Sequence, residues 1–366
     1  MRPTSVRRFH TPDVVLPSPL SHPAAVGTGT VMPAEWARHT RTWMEFPTPD
    51  PVFGEVGSPR LARAQAAWAG VANALAEYEP VSMLIPPGQR RAADQLLTPT
   101  ITRHDSSTQS AWLRNQGPTF VRTPEGGAAA VNWVINDGDP EELVRRAPER
   151  RVARVVTRAA DVNMIDSPLV LEGGGLHVDG EGTVLLTETV ALDPLRNPGW
   201  SRSQVEAELR RRLGVTRVIW LPRGLSTGRG RFGTRGHVDM LAAFVRPGVV
   251  VVHQQTDPTH PDHEVCRETI ALLRDATDAR GRRLVVIPLP APAIQSVDGQ
   301  PAHYSYINHY VANGIVLLGV FDDPRDGVAG QMLRRIYRGR GILLFDARDF
   351  FAFGGGLHSV TQQQPR

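Results

Sequence analysis

The sequence predicts an α/β protein, and three observations carry that reading. Short apolar runs such as Val81 to Ile85, Val218 to Leu221, Gly248 to His253, Leu284 to Leu289, Gly314 to Phe321 and Gly341 to Phe345 have the length and β-branched content of buried strands. Longer stretches with helix start and stop signals separate them, so strands and helices alternate. The pentapeptide Gly-Gly-Gly-Leu-His occurs at Gly173 to His177 and again at Gly354 to His358, which points to pseudo-symmetric repeats converging on one centre.

The helices follow from their ends. Ser58-Pro59 supplies an N-cap and a first-turn proline for an Ala/Leu-rich helix to about Tyr78. Ser201 with Gln204 forms a capping box, and Gly214 stops the helix after Leu213. Further helices are expected from about Pro261 to Arg280 and from Pro324 to Arg338. Thr183 to Val190 reads as a strand, Arg114 to Pro118 as a polar turn, Gly224 to Gly236 as a loop, and the chain end after Phe345 as a glycine-rich loop. Residues 1–31, with five prolines before residue 24 and Arg2, Arg7 and Arg8, read as a disordered arm and not as a signal peptide. Residues 32–366 read as a single domain, since no linker composition follows residue 32.

Composition narrows the function. The chain has 366 residues and 41% hydrophobic content, enough for a large core. Apolar runs of about 18 residues are missing, so no transmembrane helix is expected. All 41 basic residues are arginine, scattered as on solvated helix faces, with 37 acids and a net charge of +4. That dispersal argues against a nucleic-acid-binding stripe. The single cysteine, Cys266, excludes an internal disulfide and fits a cytoplasmic protein. Cys266 sits mid-helix beside acidic residues, a structural position, since neighbouring negative charge disfavours a thiolate.

Four polar clusters fall on predicted turns, where reactive groups are commonly mounted. They are Arg114-Asn115-Gln116-Gly117-Pro118, Glu172 to His177, Gly236-His237-Val238-Asp239, and His358-Ser359. His237 and Asp239 are two residues apart, so on extended backbone they face one side, where a histidine and a carboxylate can serve as acid/base and cation anchor. The plainer alternative is a loop-capping histidine and a turn aspartate. Ser359 lacks a Gly-x-Ser-x-Gly elbow. His253, His260 and His263 are read as a loop and helix start, not a metal site.

Together these segments resemble the agmatine deiminase family, the porphyromonas-type peptidylarginine deiminases of the guanidine-modifying superfamily. The resemblance rests on Met32-Pro33-Ala34-Glu35-Trp36, Trp112 to Val121, Leu171 to Gly180, Val218 to Gly224, Gly236 to Asp239, Tyr306-Ile307-Asn308 with Ala312-Asn313-Gly314, and Gly354 to Pro365. It implies a five-bladed α/β propeller around a polar pocket. It also implies hydrolysis of a guanidinium C–N bond by a C-terminal cysteine, and a reaction on the route to putrescine. The catalytic positions map onto His237, Asp239, Glu172 and Ser359, and the binding positions onto Trp112, Arg114, Asn115, Arg235, Gly356 and His358.

The sequence departs from the family pattern at several of these positions. Ser359 stands where the family has its cysteine, Asn115 where it has a guanidinium-binding aspartate, and Arg235 where aspartate is usual. Met240 and Ala243 replace an asparagine and an arginine. If Arg235 points inward, these changes weaken the attraction for a cation. Three functions fit: a C–N hydrolase on a guanidine- or amidine-like group with Ser359 or water as nucleophile, a non-covalent acid/base enzyme on another small metabolite, or a ligand-binding pseudoenzyme. No cofactor, metal, nucleic-acid or membrane partner is expected. The partner is a small-molecule substrate, and a homo-oligomer is left open.

Overall fold

The same three-strand pattern recurs five times among the residues that the computed structural model describes, which are 29–108, 111–135, 151–226, 234–294, 296–297 and 300–366. Each module starts with an antiparallel pair, and a helix then leads to a third strand parallel to the second. In one module Thr119–Arg122 pairs with Ala128–Val134, which in turn pairs, past the helix Val152–Ala160, with Asn163–Val170. The next uses Leu176–Val178, Thr183–Thr187, the helix Arg202–Leu213 and Arg217–Leu221. The third uses Ala242–Arg246, Val249–Gln254, the helix Asp262–Asp275 and Val285–Pro290. The fourth uses Tyr310–Ala312, Ile315–Val320, the helix Asp326–Ile336 and Gly341–Asp346.

The fifth module is assembled from both ends of the chain. Gln362–Pro365 lies antiparallel to His39–Glu45, with His39 opposite Pro365 and Trp43 opposite Gln362. The helix Pro59–Ala76 then leads to Val81–Ile85, and Thr102–Asp105 adds a fourth strand. This pairing brings residues near 35 and 358 together, although they are far apart in sequence.

Helix ends follow the sequence closely where side chains cap them. Ser58 accepts the Leu61 N–H, and the Ser201–Gln204 box is present. Gly214 ends its helix with φ of 68°, a conformation that costs glycine little. Leu61, Trp68 and Leu75 bury one face of the first long helix, and Trp68 stacks on Phe350 at 4.5 Å. Burial of each such side chain contributes about 1.5–3 kcal/mol.

Several expectations need correction. The helix expected to reach Arg280 ends at Asp275, because the Asp278 side chain accepts the Arg280 and Arg282 N–H groups and fixes a turn instead. The strand from Thr183 ends at Thr187, and Glu188–Ala191 forms a helical turn. The polar turn after Trp112 is a short helix, Leu113–Gln116. The terminal loop contains a helix, Arg348–Phe353, and the strand Gln362–Pro365. Ordered backbone already includes Val31, which exchanges two hydrogen bonds with Arg122, so the arm proposed for 1–31 does not extend that far. Most of that arm, and residues 227–233 of the Gly224–Gly236 loop, lie outside the described residues. Among the described residues, no helix is long and apolar enough to cross a membrane.

Candidate active site

The polar clusters share one structural position. Arg114 and Asn115 precede Thr119–Arg122, Glu172 precedes Leu176–Val178, and His237 and Asp239 precede Ala242–Arg246. Asn308 precedes Tyr310–Ala312, and His358 and Ser359 precede Gln362–Pro365. Each module thus contributes the segment that enters its first strand. This repetition explains why such distant clusters meet. The two Gly-Gly-Gly-Leu-His copies both lie on such segments but differ locally. Gly173–Gly175 is a 3-10 turn running directly into a strand, whereas Gly354 ends a helix with φ of 109°.

The meeting point is Gly174. A Cβ there would lie 2.7 Å from His237 Nδ1, 2.9 Å from Asp239 Oδ2 and 3.1 Å from Asn115 Oδ1. Three polar atoms from two modules therefore face one small volume on a third, which only glycine leaves open. Asn115 Oδ1 is buried and has no hydrogen-bond partner. A buried acceptor without a partner costs about 1–3 kcal/mol, so this oxygen suits an incoming N–H donor.

Two carboxylate systems support these groups. Glu172 Oε2 accepts the His237 Nε2–H at 3.0 Å, and Glu172 Oε1 accepts from Arg196 at 2.6 Å. Burial opposes ionisation of Glu172, but Arg196 and His237 outweigh it and hold the carboxyl down at about 2. His237 therefore presents Nδ1 towards Gly174. His358 donates from Nδ1 to Asp239 Oδ2 at 2.9 Å and from Nε2 to Glu35 Oε1 at 2.7 Å. Burial and Arg114 lower the His358 pKa, yet the contacts with Glu35 and Asp239 prevail and raise it. Asn308 Nδ2 donates to Asp239 Oδ2 at 3.1 Å, and Asn308 Oδ1 accepts the His358 backbone N–H at 3.1 Å.

The structure brings His237, Asp239, Glu172, Asn115 and His358 together. His237 and Asp239 do so differently, because Val238–Met240 is a 3-10 turn and not extended backbone. Ser359 lies on the same segment as His358, and its Oγ accepts the Gly356 N–H at 3.2 Å. That bond fixes the oxygen but supplies no proton acceptor.

Three expected binding residues have other surroundings. Arg235, expected as a cation-repelling residue if it points inward, pairs with Asp193 at 3.0 Å and is one-third exposed. Arg114 is buried, donates to Gln363 Oε1 at 2.7 Å, and faces Glu35 at 3.4 Å. Trp112 packs against Phe53 and Trp68 at ring distances of 6.0 and 5.3 Å.

Glu35, Arg196 and Asn308 were not assigned site roles from the sequence. An acid between Ala34 and Trp36, in a segment otherwise apolar, was the available signal for Glu35. Among the described residues no group of three or more His, Cys, Asp or Glu is arranged to hold a metal ion. His253 instead bonds Ser305, and His263 Nδ1 bonds the Gln255 carbonyl.

The architecture is that of deiminase-type, guanidine-modifying hydrolases. The structure superposes on the agmatine deiminase of Enterococcus faecalis with a TM-score of 0.84 at 29% identity, covering 92% of this chain and 96% of that one. The agmatine deiminase of Stutzerimonas stutzeri is 37% identical over 92% of this chain and 96% of its own. A Streptomyces coelicolor protein, provisionally named an agmatine deiminase, is 52% identical over 92% of this chain and 98% of its own. The chain belongs to the Porphyromonas-type peptidyl-arginine deiminase family, which it matches over residues 31–365.

Proposed function

We propose that this protein is a hydrolase that releases ammonia from the C–N bond of a guanidine- or amidine-like group, with a substrate that differs from that of its relatives. The observation that carries this reading is the convergence of His237 Nδ1, Asp239 Oδ2 and Asn115 Oδ1 on the open volume at Gly174. The five modules are read as the blades of an α/β propeller whose centre is this volume.

Asp239 and Asn115 accept N–H bonds from the planar group and orient it. His237, its Nε2–H held by Glu172, uses Nδ1 to take a proton from a water whose oxygen attacks the central carbon. The C–N bond then breaks, His237 returns the proton to the leaving nitrogen, and ammonia departs. Water is favoured over Ser359 because the hydroxyl pKa lies far above neutrality and its Gly356 contact offers no base.

Ammonia release from agmatine, arginine, simple substituted guanidines and amidines, and the corresponding ureas tests the proposal. His237→Ala is expected to lose about 10²–10⁴-fold in rate, and Ser359→Ala to stay within a few-fold. A loss in Ser359→Ala as large as in His237→Ala would move the attack to the serine. Absence of ammonia from every compound would sink the hydrolase reading. Binding without turnover would then favour the pseudoenzyme, a reading that the neutral Asn115 and Ser359 also support.

A further inference from the structure

The charges around Gly174 are balanced before any ligand enters. Glu172 is matched by Arg196 at 2.6 Å. Glu35 and Asp239 flank His358 at 2.7 and 2.9 Å, and Arg114 faces Glu35 at 3.4 Å. Both ring nitrogens of His358 point at carboxylate oxygens, a geometry that requires two N–H donors and hence the imidazolium. Three buried carboxylates are thus matched by Arg196, Arg114 and the His358 imidazolium, with His177 a further neighbour of Glu35 at 3.7 Å. The raised pKa of His358 agrees with this reading: burial and Arg114 work against it, and Glu35 and Asp239 overcome them.

Among the described residues, the buried unpartnered oxygens beside Gly173 and Gly174 are amide oxygens. Asn115 Oδ1 faces Gly174, and Gln362 Oε1 lies 3.4 Å from the point a Cβ of the adjacent Gly173 would occupy. Both oxygens are buried without partners. Neutral acceptors bond N–H groups well but compensate no charge. A free guanidinium placed here would bring one uncompensated buried charge, a strongly penalised arrangement.

We propose that the site binds its substrate group uncharged, as a planar N–H donor of the ureido type, and that Asn115 sets this preference. The inference rests on the placement of the reacting group at Gly174 given above.

Butylguanidinium and butylurea share one skeleton and differ in charge, so they form the test pair. Affinities are measured by calorimetry at neutral pH for the full chain and for Asn115→Asp, with a ligand-free thermal melt to show that the variant folds. Butylurea is expected to bind the unaltered protein at least about tenfold more tightly than butylguanidinium, a gap of about 1.4 kcal/mol, and Asn115→Asp to reverse the order. Equal or tighter binding of butylguanidinium by the unaltered protein overturns the inference, as does an unchanged preference in Asn115→Asp or no binding of either compound. Ammonia release from a free guanidinium with weak urea binding would remove this inference and leave the hydrolase reading standing. Tight urea binding without turnover of any compound would do the reverse.

Discussion

The Glu35 carboxylate lies 2.7 Å from His358 Nε2, joining a residue of the first described segment to one eight residues before the chain ends. Glu35 also faces His177 at 3.7 Å, and the His177 and His358 rings stack at 6.4 Å. The histidines of the two Gly-Gly-Gly-Leu-His copies therefore meet at one acid. Burial opposes its ionisation, but His358, His177 and Arg114 hold its pKa well below the usual range. Glu35→Gln leaves His358 and Arg114 without their shared counter-charge. The expected loss is about 3–5 kcal/mol of stability, read from denaturant unfolding at pH 7. A loss below about 1 kcal/mol would show that the network relaxes without Glu35.

Gly174→Ala tests the open volume directly. The backbone there is not left-handed, so alanine meets no conformational penalty, but its methyl would press on His237, Asp239 and Asn115. Ligand affinity is expected to fall by at least about tenfold, equivalent to about 1.4 kcal/mol, while the variant remains folded. Unchanged affinity would place the ligand elsewhere.

How far the sequence revealed this arrangement depends on the range of the interactions. Capped helices were legible because Ser58, Ser201, Gln204 and Gly214 act within one turn. The α/β alternation was legible because apolar runs report burial locally. The Asp278 turn was missed because a side chain's competition for backbone N–H groups leaves no periodic trace. The final strand was missed because Gln362-Gln363-Gln364 carries no apolar alternation. It is ordered by pairing with His39–Glu45 and by contacts such as Trp43 Nε1 to Gln364 Oε1 at 2.9 Å. Asn115, His237 and Asp239 stood out on turns, but Glu35, Arg196 and Asn308 owe their place to that long-range closure.

Two buried histidines predict acid sensitivity. Burial, foremost, holds both His253 and His309 down at about 4. His309 Nε2 lies 2.9 Å from the Tyr337 hydroxyl, which burial keeps protonated, so the neutral ring accepts there. A depressed folded pKa means that the unfolded chain binds protons first as pH falls. Stability is thus full above about pH 6.5 and declines between 6.5 and 4, by on the order of 3 kcal/mol per histidine. Urea unfolding across that range checks this for the protein and for His253→Gln with His309→Gln. A slope unchanged in the double variant would assign the acid limb to other groups.

Cys266 lies on the buried face of Asp262–Asp275, and burial pushes its thiol up to about 11. Little thiolate exists near neutrality, so iodoacetamide is expected to leave the folded protein unlabelled and to label it fully in denaturant. Stoichiometric labelling under native conditions would return this cysteine to the list of reactive groups.

Arg196→Met tests the second carboxylate system through its pH dependence. With Arg196 present, Glu172 titrates at about 2, against an ordinary value near 4.5. Its contribution, about 3 kcal/mol for such a shift, is therefore complete above pH 4.5 and lost as pH falls towards 2. Methionine removes the guanidinium that lies 2.6 Å from the carboxylate, leaving burial opposed by His237. The variant is expected to be less stable by about 3–5 kcal/mol at pH 7. Because its Glu172 can accept a proton while folded, it should lose less on acidification than the unaltered protein. The gap in unfolding free energy between the two should narrow from pH 6 to pH 3.5. A gap that stays constant would mean that Arg196 supports the fold through packing and does not hold Glu172 ionised.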